Sequence, residues 1–464
     1  MSSIRQRRAS RNLLPAVMLA ASVACTSNGL HVTAQSSLVE IAATALEPNR
    51  NLDVLFVIDT SWSMADERAR LAANIPRFID QLQNGLGGMP NLHIAVTSTD
   101  MGTLGNANPM AGCRERGDDG ALHLGSLATT DGKPYLVDVA GDNGTRIRNY
   151  ANSLQDAFTA MATFPLLGCG IEQPLNAMGA ALWPTTPKND FLREDANLAV
   201  VFITDEDDCS LSGTSVDMTR FQTGGACFRH AVVCDEDPTT IDKDDVALRR
   251  DIYPSVIASS EFPLGARTNC RIREDVAELA DLHQFVEGLA NKKGSARRVL
   301  LAGVFAPQSD ISWGYTNNAV RVAPACTAPT ADGTSAAAPA MRLHALLGLH
   351  QGPTRFRSVC DENFADVVAD LGNGAARLMD GSCVQLPTAP VNLDTCTVAL
   401  EAADQRSTQL ANCRSVPEGN PCYEFVADAR CTGDVQGRRL ITKGVAPRRN
   451  SWAVASCEHA RANR

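Results

Sequence analysis

The sequence predicts an α/β fold, a doubly wound and mostly parallel sheet with insertions, followed by a small disulfide-stapled β-rich module. Almost continuous apolar runs of strand length occur at 52–58, 92–98, 198–203 and 298–305, as expected of strands buried on both faces. Between them, apolar residues recur at helical spacing, as in 65–83. Beyond Gly381, six cysteines divide the chain into short segments, which favours a separate stapled module.

Each element can be placed in order along the chain. The predicted strands are 52–58, 92–98, an edge strand at 135–139, 198–203 and 298–305. The predicted helices are 65–83, 149–161, 175–182, 276–289, 341–349 and 364–378. Residues 102–134 are rich in Gly, Asn and Asp, and are expected to form a long loop or a small insertion. Residues 206–270 are acidic and contain cysteines, and are expected to be an insertion. The alternation of strands and helices with short connections is typical of an α/β domain over 51–381.

The first 24 residues resemble an export signal. Four arginines and no acidic residue precede or enter an apolar run at 13–24, which is too short to span a bilayer. The run ends in SVAC, similar to the site at which bacterial lipoprotein precursors are cleaved and lipidated on cysteine, here Cys25, although Ser22 departs from that pattern. Ordinary signal cleavage nearby is the alternative. Residues 25–50 are small and polar, and we expect a tether.

The cysteine count is consistent with an anchor at Cys25. The chain has 15 cysteines, and setting Cys25 aside leaves an even number that can pair, eight within 51–381 and six within 382–464. Export to an oxidising compartment makes disulfides the expected use, and because no CxxC pair occurs, zinc clusters are disfavoured. We therefore expect pairing mostly within the two blocks.

The charge balance excludes some partners. A formal net charge of −10 repels nucleic acid and anionic headgroups, and favours divalent cations or basic partners. Nucleic-acid binding is accordingly not expected.

One group of residues is suited to binding a metal ion. Asp59, Ser61 and Ser63 form a DxSxS pattern directly after the first strand, and Asp205 follows the strand at 198–203. Because the carboxyl ends of parallel strands share one edge, these residues should face each other there. Carboxylate and hydroxyl oxygens suit Mg²⁺, Ca²⁺ or Mn²⁺. The alternative is that DxSxS only caps a helix N-terminus.

The DxSxS and ITDE motifs resemble the von Willebrand factor A-type family over roughly 50–380, with Asp59, Ser61, Ser63 and Asp205 matching its metal-ion-dependent adhesion site. The segments GCGIEQPLNAM, FLREDANLAVVFITDEDDCS and SVCDENF are also similar to a group of bacterial surface lipoproteins. The resemblance implies a divalent cation with an open position for a partner's carboxylate.

The middle loop departs from that family pattern. It reads GCG at 168–170 where the family has a threonine, and Glu172 is a candidate substitute, either direct or through water. Asp100, which follows the second strand, should lie at the rim. We expect Asp207 and Asp208 to be solvated surface, and the stretches 235–237 and 242–245 to be solvated loops rather than calcium sites.

Together these features predict a lipid-anchored protein of the cell envelope, in the outer membrane or periplasm, that binds a protein or other surface ligand through the metal. The alternatives are a structural envelope protein with a vestigial metal site, and a metal-dependent hydrolase. Because HExxH, GxSxG and GxxxxGK[ST] are all missing from the sequence, an enzyme is not expected.

Overall fold

The computed structural model describes residues 38–47, 49–85, 88–106, 112–163, 168–183, 189–221, 226–235, 265–273, 276–316, 319–330, 333–379, 383–385, 393–402, 406–428, 431, 435–448 and 450–458. The expected export signal, Cys25 and the acidic stretch 242–245 lie outside the described residues. Across the part of the chain that is described, no helix combines the length and apolarity needed to cross a membrane.

The strands and helices follow in chain order. The strands are Leu38–Ala45 (β1), Asn51–Ile58 (β2), Asn91–Ser98 (β3), Leu136–Ala140 (β4), Arg146–Arg148 (β5), Asn197–Ile203 (β6), Val232–Val233 (β7), Gly265–Ala266 (β8), Arg271–Ile272 (β9), Val299–Phe305 (β10), Ser312–Thr316 (β11), Ala319–Val322 (β12), Cys326–Thr330 (β13), Gly333–Ala337 (β14), Thr354–Ser358 (β15), Cys383–Gln385 (β16), Thr397–Glu401 (β17), Ser407–Asn412 (β18), Cys422–Ala427 (β19), Val435–Lys443 (β20) and Trp452–Glu458 (β21). The α-helices are Ala65–Gly85 (α1), Leu154–Ala162 (α2), Pro174–Leu182 (α3), Ala226–Ala231 (α4), Leu282–Lys293 (α5), Met341–Leu349 (α6) and Phe364–Met379 (α7).

The first large sheet has the order β15-β10-β6-β2-β3-β4-β5. Its first five strands run parallel, and β4 and β5 are antiparallel additions at one edge. The parallel strands β2, β6 and β10 are almost entirely buried, as their apolar runs predict. The predicted α/β class is therefore confirmed, and the sheet is mixed.

Helices cover both faces of this sheet. The apolar stripes of α1, α2 and α7 pack against one face, through residues such as Phe78, Phe158 and Leu371. On the other face, α3 contributes Leu175, α5 contributes Leu289, and α6 contributes further apolar side chains. The two helix layers thus bury the faces of one sheet, while the polar residues at the ends of its strands remain available for contacts.

Two helices begin later than predicted, because a capping residue decides their starts. The expected helix 149–161 begins only at Leu154, since the Ser153 hydroxyl accepts from the Asp156 amide in a capping box. The expected helix 276–289 begins at Leu282, where the Asp281 side chain accepts the His283 amide.

The second large sheet joins both ends of the described chain. Its order is β1-β21-β17-β18-β19-β20-β16, and β1 pairs antiparallel with β21. Residues 38–45 lie in the segment expected to be a tether, but they form a strand because Ile41 and Ala42 are buried in the core of this sheet. The β-rich character expected for residues after 381 is present.

Seven disulfides link the described cysteines. The pairs are Cys113–Cys169, Cys209–Cys227, Cys234–Cys270, Cys326–Cys360, Cys383–Cys431, Cys396–Cys457 and Cys413–Cys422. All four early pairs join residues before 381, and all three late pairs join residues after it. The expected pairing within two blocks is confirmed.

Candidate functional site

The turn after β2 directs several oxygens to one point. Asp59 is completely buried, and one of its carboxylate oxygens accepts the backbone N–H of Ser61 at 2.7 Å. Its other carboxylate oxygen accepts the Thr204 hydroxyl, also at 2.7 Å. The hydroxyls of Ser61 and Ser63 are 3.0 Å apart. The DxSxS turn therefore presents a carboxylate and two hydroxyls from one short segment.

Asp205 reaches the same place from the neighbouring strand. Strands β2 and β6 are parallel neighbours with Ile58 opposite Ile203, so the residues that follow each strand stand side by side. The Ser63 side chain lies close enough to the buried Asp205 carboxyl to favour its ionised form and so to lower its pKa. All four sequence-predicted site residues are thus brought together at one end of the sheet.

Glu172 also joins this group. It is buried, pairs through its backbone with Asp100, and accepts the Thr99 hydroxyl. Its carboxyl lies close enough to Asp59 for the charge on Asp59 to raise the pKa of Glu172. The residue singled out as a substitute for the family's threonine therefore lies beside the predicted site.

The middle loop is built closely around Thr60. A Cβ on Gly168 would lie 2.3 Å from the Thr60 hydroxyl oxygen, so only glycine allows this approach. The next residue, Cys169, is buried and bonded to Cys113. The GCG segment therefore holds the backbone close to the site, where a side chain at the first position would collide.

Like charges dominate the electrostatics of the site. Burial raises the pKa of Asp59, and burial together with the Asp59 charge raises the pKa of Glu172 well above its usual value. Burial, assisted by the charge on Asp59, raises the pKa of Asp205 to about 8. The Arg68 guanidinium interacts with Asp59 and supplies some positive charge, but burial lowers its own pKa. The carboxylates are therefore costly to keep ionised without an added cation.

Several buried oxygens at the site have no hydrogen-bond donor. Within the described residues these are the Thr60 hydroxyl, one carboxylate oxygen of Glu67, Glu172 Oε1 and Asp205 Oδ1. Unsatisfied buried acceptors are rare, and carboxylate and hydroxyl oxygens are the ligand types that Mg²⁺, Mn²⁺ or Ca²⁺ prefer. Over the described ranges, no three His, Cys, Asp or Glu side chains are grouped as metal ligands, so hydroxyl oxygens would have to complete any such site.

Asp100 lies at the same sheet edge but is engaged elsewhere. Its carboxylate accepts from Arg114 at 2.9 Å and from the Gly102 amide at 2.8 Å. It therefore shapes the rim by holding the loop that follows β3, in line with its expected position.

Asp207 and Asp208 were expected to be solvated surface, and that prediction is wrong. Both are buried, because the start of α6 neutralises them. Asp207 accepts the backbone N–H groups of Arg342 and Leu343, and Asp208 pairs with the Arg342 guanidinium at 2.9 Å. Neither carboxylate faces the candidate site.

Sequence reasoning missed several residues of the site. Thr204 stands beside Asp205 in the ITDE motif, and its hydroxyl donates a hydrogen bond to Asp59. Thr99 and Glu67 carry no local signal, since each is recognisable only once the strands are placed side by side. Trp62, between the two serines of the DxSxS pattern, is 75% exposed.

No family model and no curated protein matches the sequence. Among solved structures, a pilus adhesin, SpaC from Lactobacillus rhamnosus GG in its open conformation, is 13% identical with a TM-score of 0.31. That match covers 89% of this chain, which spans only 39% of the adhesin. A von Willebrand factor type A protein from Catenulispora acidiphila is 12% identical at a TM-score of 0.25, covering 93% of this chain and 68% of its own.

A third similar structure comprises three N-terminal domains of the type V pili tip protein Mfa5 from Porphyromonas gingivalis. It is 9% identical with a TM-score of 0.23, over 92% of this chain and 63% of that one. Likenesses at these TM-scores assign neither a fold family nor a function.

Proposed function

We propose that the chain is a cell-envelope binding protein that recognises a protein or other surface ligand through a divalent cation held by Asp59, Ser61, Ser63 and Asp205. The observation that carries the proposal is the set of buried, donor-less oxygens beside mutually repelling carboxylates. Such an arrangement is unfavourable in isolation, and a hard cation would satisfy it. The proposal includes a doubly wound sheet of the von Willebrand factor A type.

The residues have separable roles in this proposal. Asp59 and Asp205 would supply negative charge, and Ser61 and Ser63 would supply hydroxyl oxygens. Thr204 fixes one oxygen of Asp59, while Glu172 takes the position next to Asp59. The cation would supply a positive centre with an exchangeable position for a partner's carboxylate, so the proposed activity is binding without chemical transformation.

A melting experiment tests the cation. A ligand that binds only the folded state stabilises it by RT ln(1 + [L]/Kd), about 2.7 kcal/mol at a hundredfold excess over Kd. Wild type should therefore melt higher in Mg²⁺, Mn²⁺ or Ca²⁺ than in chelator, and Asp59→Asn should lose that shift. A helix cap predicts otherwise, because its loss costs roughly 1 kcal/mol with or without metal.

The matched control is Asp80→Asn, the same substitution at an exposed position on α1. It should leave the cation-induced shift unchanged. If no cation raises the melting temperature of wild type, the site is vestigial and the chain is a structural envelope protein. A hydrolytic activity that requires Asp59 would point instead to the hydrolase alternative.

The proposed location rests on the SVAC sequence at Cys25. Cys25→Ala should move the protein from the membrane fraction to the soluble fraction. Native protein without a lipid on Cys25 by mass spectrometry would contradict the anchor while leaving the cation proposal intact.

A further inference from the structure

A single exposed aromatic side chain lies at the candidate site. Among the described residues, the large hydrophobic side chains that are exposed are Trp62, at 75%, and Ile147, at 58%. Ile147 belongs to β5, the outermost strand of the sheet, whereas Trp62 lies between Ser61 and Ser63. The other three tryptophans, Trp183, Trp313 and Trp452, are buried or half-buried. An indole at this position would be hydrated unless a partner covered it.

The backbone holds this indole outward. Residues Trp62–Met64 form one turn of 3-10 helix, and the Met64 amide donates to the Ser61 carbonyl at 3.2 Å. Met64 is completely buried beneath the turn, and the Ser61 amide is tied to Asp59. Because the turn is anchored at both ends, covering the indole costs little backbone ordering. Rigid, exposed tryptophans of this kind are typical of binding hot spots.

The position of Trp62 beside the proposed cation position indicates which chemical groups a partner would present. The hydroxyls of both flanking serines belong to the proposed cation position, so Trp62 is the immediate chain neighbour of two of the proposed ligands. Successive residues of an extended chain advance by roughly 3.4 Å. A segment that places a carboxylate on the cation would therefore bring its next one or two side chains against the indole face, which favours an apolar group.

We propose that Trp62 and the cation position form one two-point surface that receives an acidic side chain flanked by an apolar side chain in a protein partner. This inference rests on the proposed function and extends it to the class of partner. The cation supplies the charge-dependent contact, and Trp62 supplies the apolar contact that distinguishes one acidic segment from another.

Small probes separate the two contacts. Acetate offers the carboxylate alone, and hydrocinnamate offers the same carboxylate with a phenyl ring. With the full chain in Mg²⁺, ligand-observed NMR should give hydrocinnamate a roughly three- to tenfold higher affinity than acetate, the size of an aromatic pair contact. In 5-fluorotryptophan-labelled protein, the Trp62 fluorine resonance should move with hydrocinnamate.

The variants test whether Trp62 is the cause. Trp62→Ala should equalise the two affinities while leaving acetate binding and the Mg²⁺ melting shift unchanged, and Trp62→Phe should retain part of the preference. Ile147→Ala, the matched loss of an exposed apolar side chain, should change nothing. Because Trp62 is exposed, its removal is not expected to impair folding.

Three results would overturn the inference while leaving the cation site standing. These are equal affinities in wild type, a preference that survives Trp62→Ala, and stronger Trp62-dependent binding of phenethylammonium or glucuronate, which would indicate a basic or sugar ligand. Absence of any Mg²⁺-dependent melting shift in wild type would instead remove the cation site and this inference together.

Discussion

Two buried aspartates at opposite ends of strand β2 have opposite environments. Asp53 accepts from the Arg193 guanidinium and backbone N–H, each at 2.8 Å, and from the Lys293 ammonium at 3.2 Å. Asp59 lies among carboxyl groups instead, and its charge raises the pKa values of both Glu172 and Asp205. The protein thus pairs Asp53 with two cationic side chains, whereas it places further carboxyl groups near Asp59.

This difference accords with a structural role for Asp53 and with the cation-binding role proposed for Asp59. Lys293 is fully buried, and burial lowers its pKa to about 8 although Asp53 opposes that shift. Its positive charge is therefore tolerated only because Asp53 faces it. At the other end, Glu172 and Asp205 have donor-less oxygens and raised pKa values. An arrangement that reduces stability is expected where a ligand binds.

The largest effect is expected for Asp53→Asn. Removing one partner of a buried ion pair leaves the Lys293 charge uncompensated, and should lower the free energy of unfolding by about 3–5 kcal/mol. Urea unfolding of both variants at pH 7 in chelator measures it, with Asp59→Asn as the matched substitution on the same strand. If Asp59→Asn lowers the free energy of unfolding as much as Asp53→Asn does, both aspartates are structural and the contrast between them is wrong.

The next largest effect is expected for the Cys113–Cys169 disulfide, which lies beside the candidate site. Replacing Cys113 and Cys169 with alanine should lower the free energy of unfolding by about 2–4 kcal/mol. It should also weaken cation binding, because the bond fixes the loop that carries Gly168 and Glu172. The cation-induced melting shift of the double variant, compared with wild type, is the measurement.

Removal of the Cys413–Cys422 pair is the control for that experiment. This bond lies in the second large sheet, so its loss should lower stability without changing the cation-induced shift. If both double variants keep the full cation-induced melting shift, the Cys113–Cys169 disulfide does not organise the cation position.

The two ends of β2 also show which features could be predicted from the sequence. Buried strands such as β2 and β6 were predictable because their apolar runs reflect burial on both faces. Asp59 and Asp205 could be placed together because parallel strands share an edge. These features depend on short-range pattern and topology.

Contacts between distant segments could not be predicted. Arg342 lies in a helix far along the chain from Asp207 and Asp208, so these two aspartates looked solvated. Strand β1 was hidden because its burial depends on β21, almost at the other end of the described chain. The partners of Asp53 are likewise contributed by residues with no local relation to it.

The smallest expected effect is the response of the metal-free protein to pH. Asp205 has a folded pKa of about 8, well above its ordinary value near 4, so between these pH values the folded state binds more protons than the unfolded state. Rising pH therefore lowers the free energy of unfolding across this window, because Asp205 ionises in the unfolded state there while it stays protonated in the folded state up to about pH 8.

Asp59→Asn should reduce that slope, because the Asp59 charge is the largest electrostatic cause of the raised pKa of Asp205 after burial. Each unit by which the variant lowers that pKa corresponds to about 1.4 kcal/mol, so the metal-free variant should be more stable than wild type near pH 8 by roughly this amount. Urea unfolding in chelator across pH 5 to about 8 measures both slopes. Saturating Mg²⁺ should flatten the wild-type curve, since the cation then takes the place of the protons. A wild-type slope that Mg²⁺ leaves unchanged would mean that Asp205 titrates away from any cation, and would favour the vestigial site.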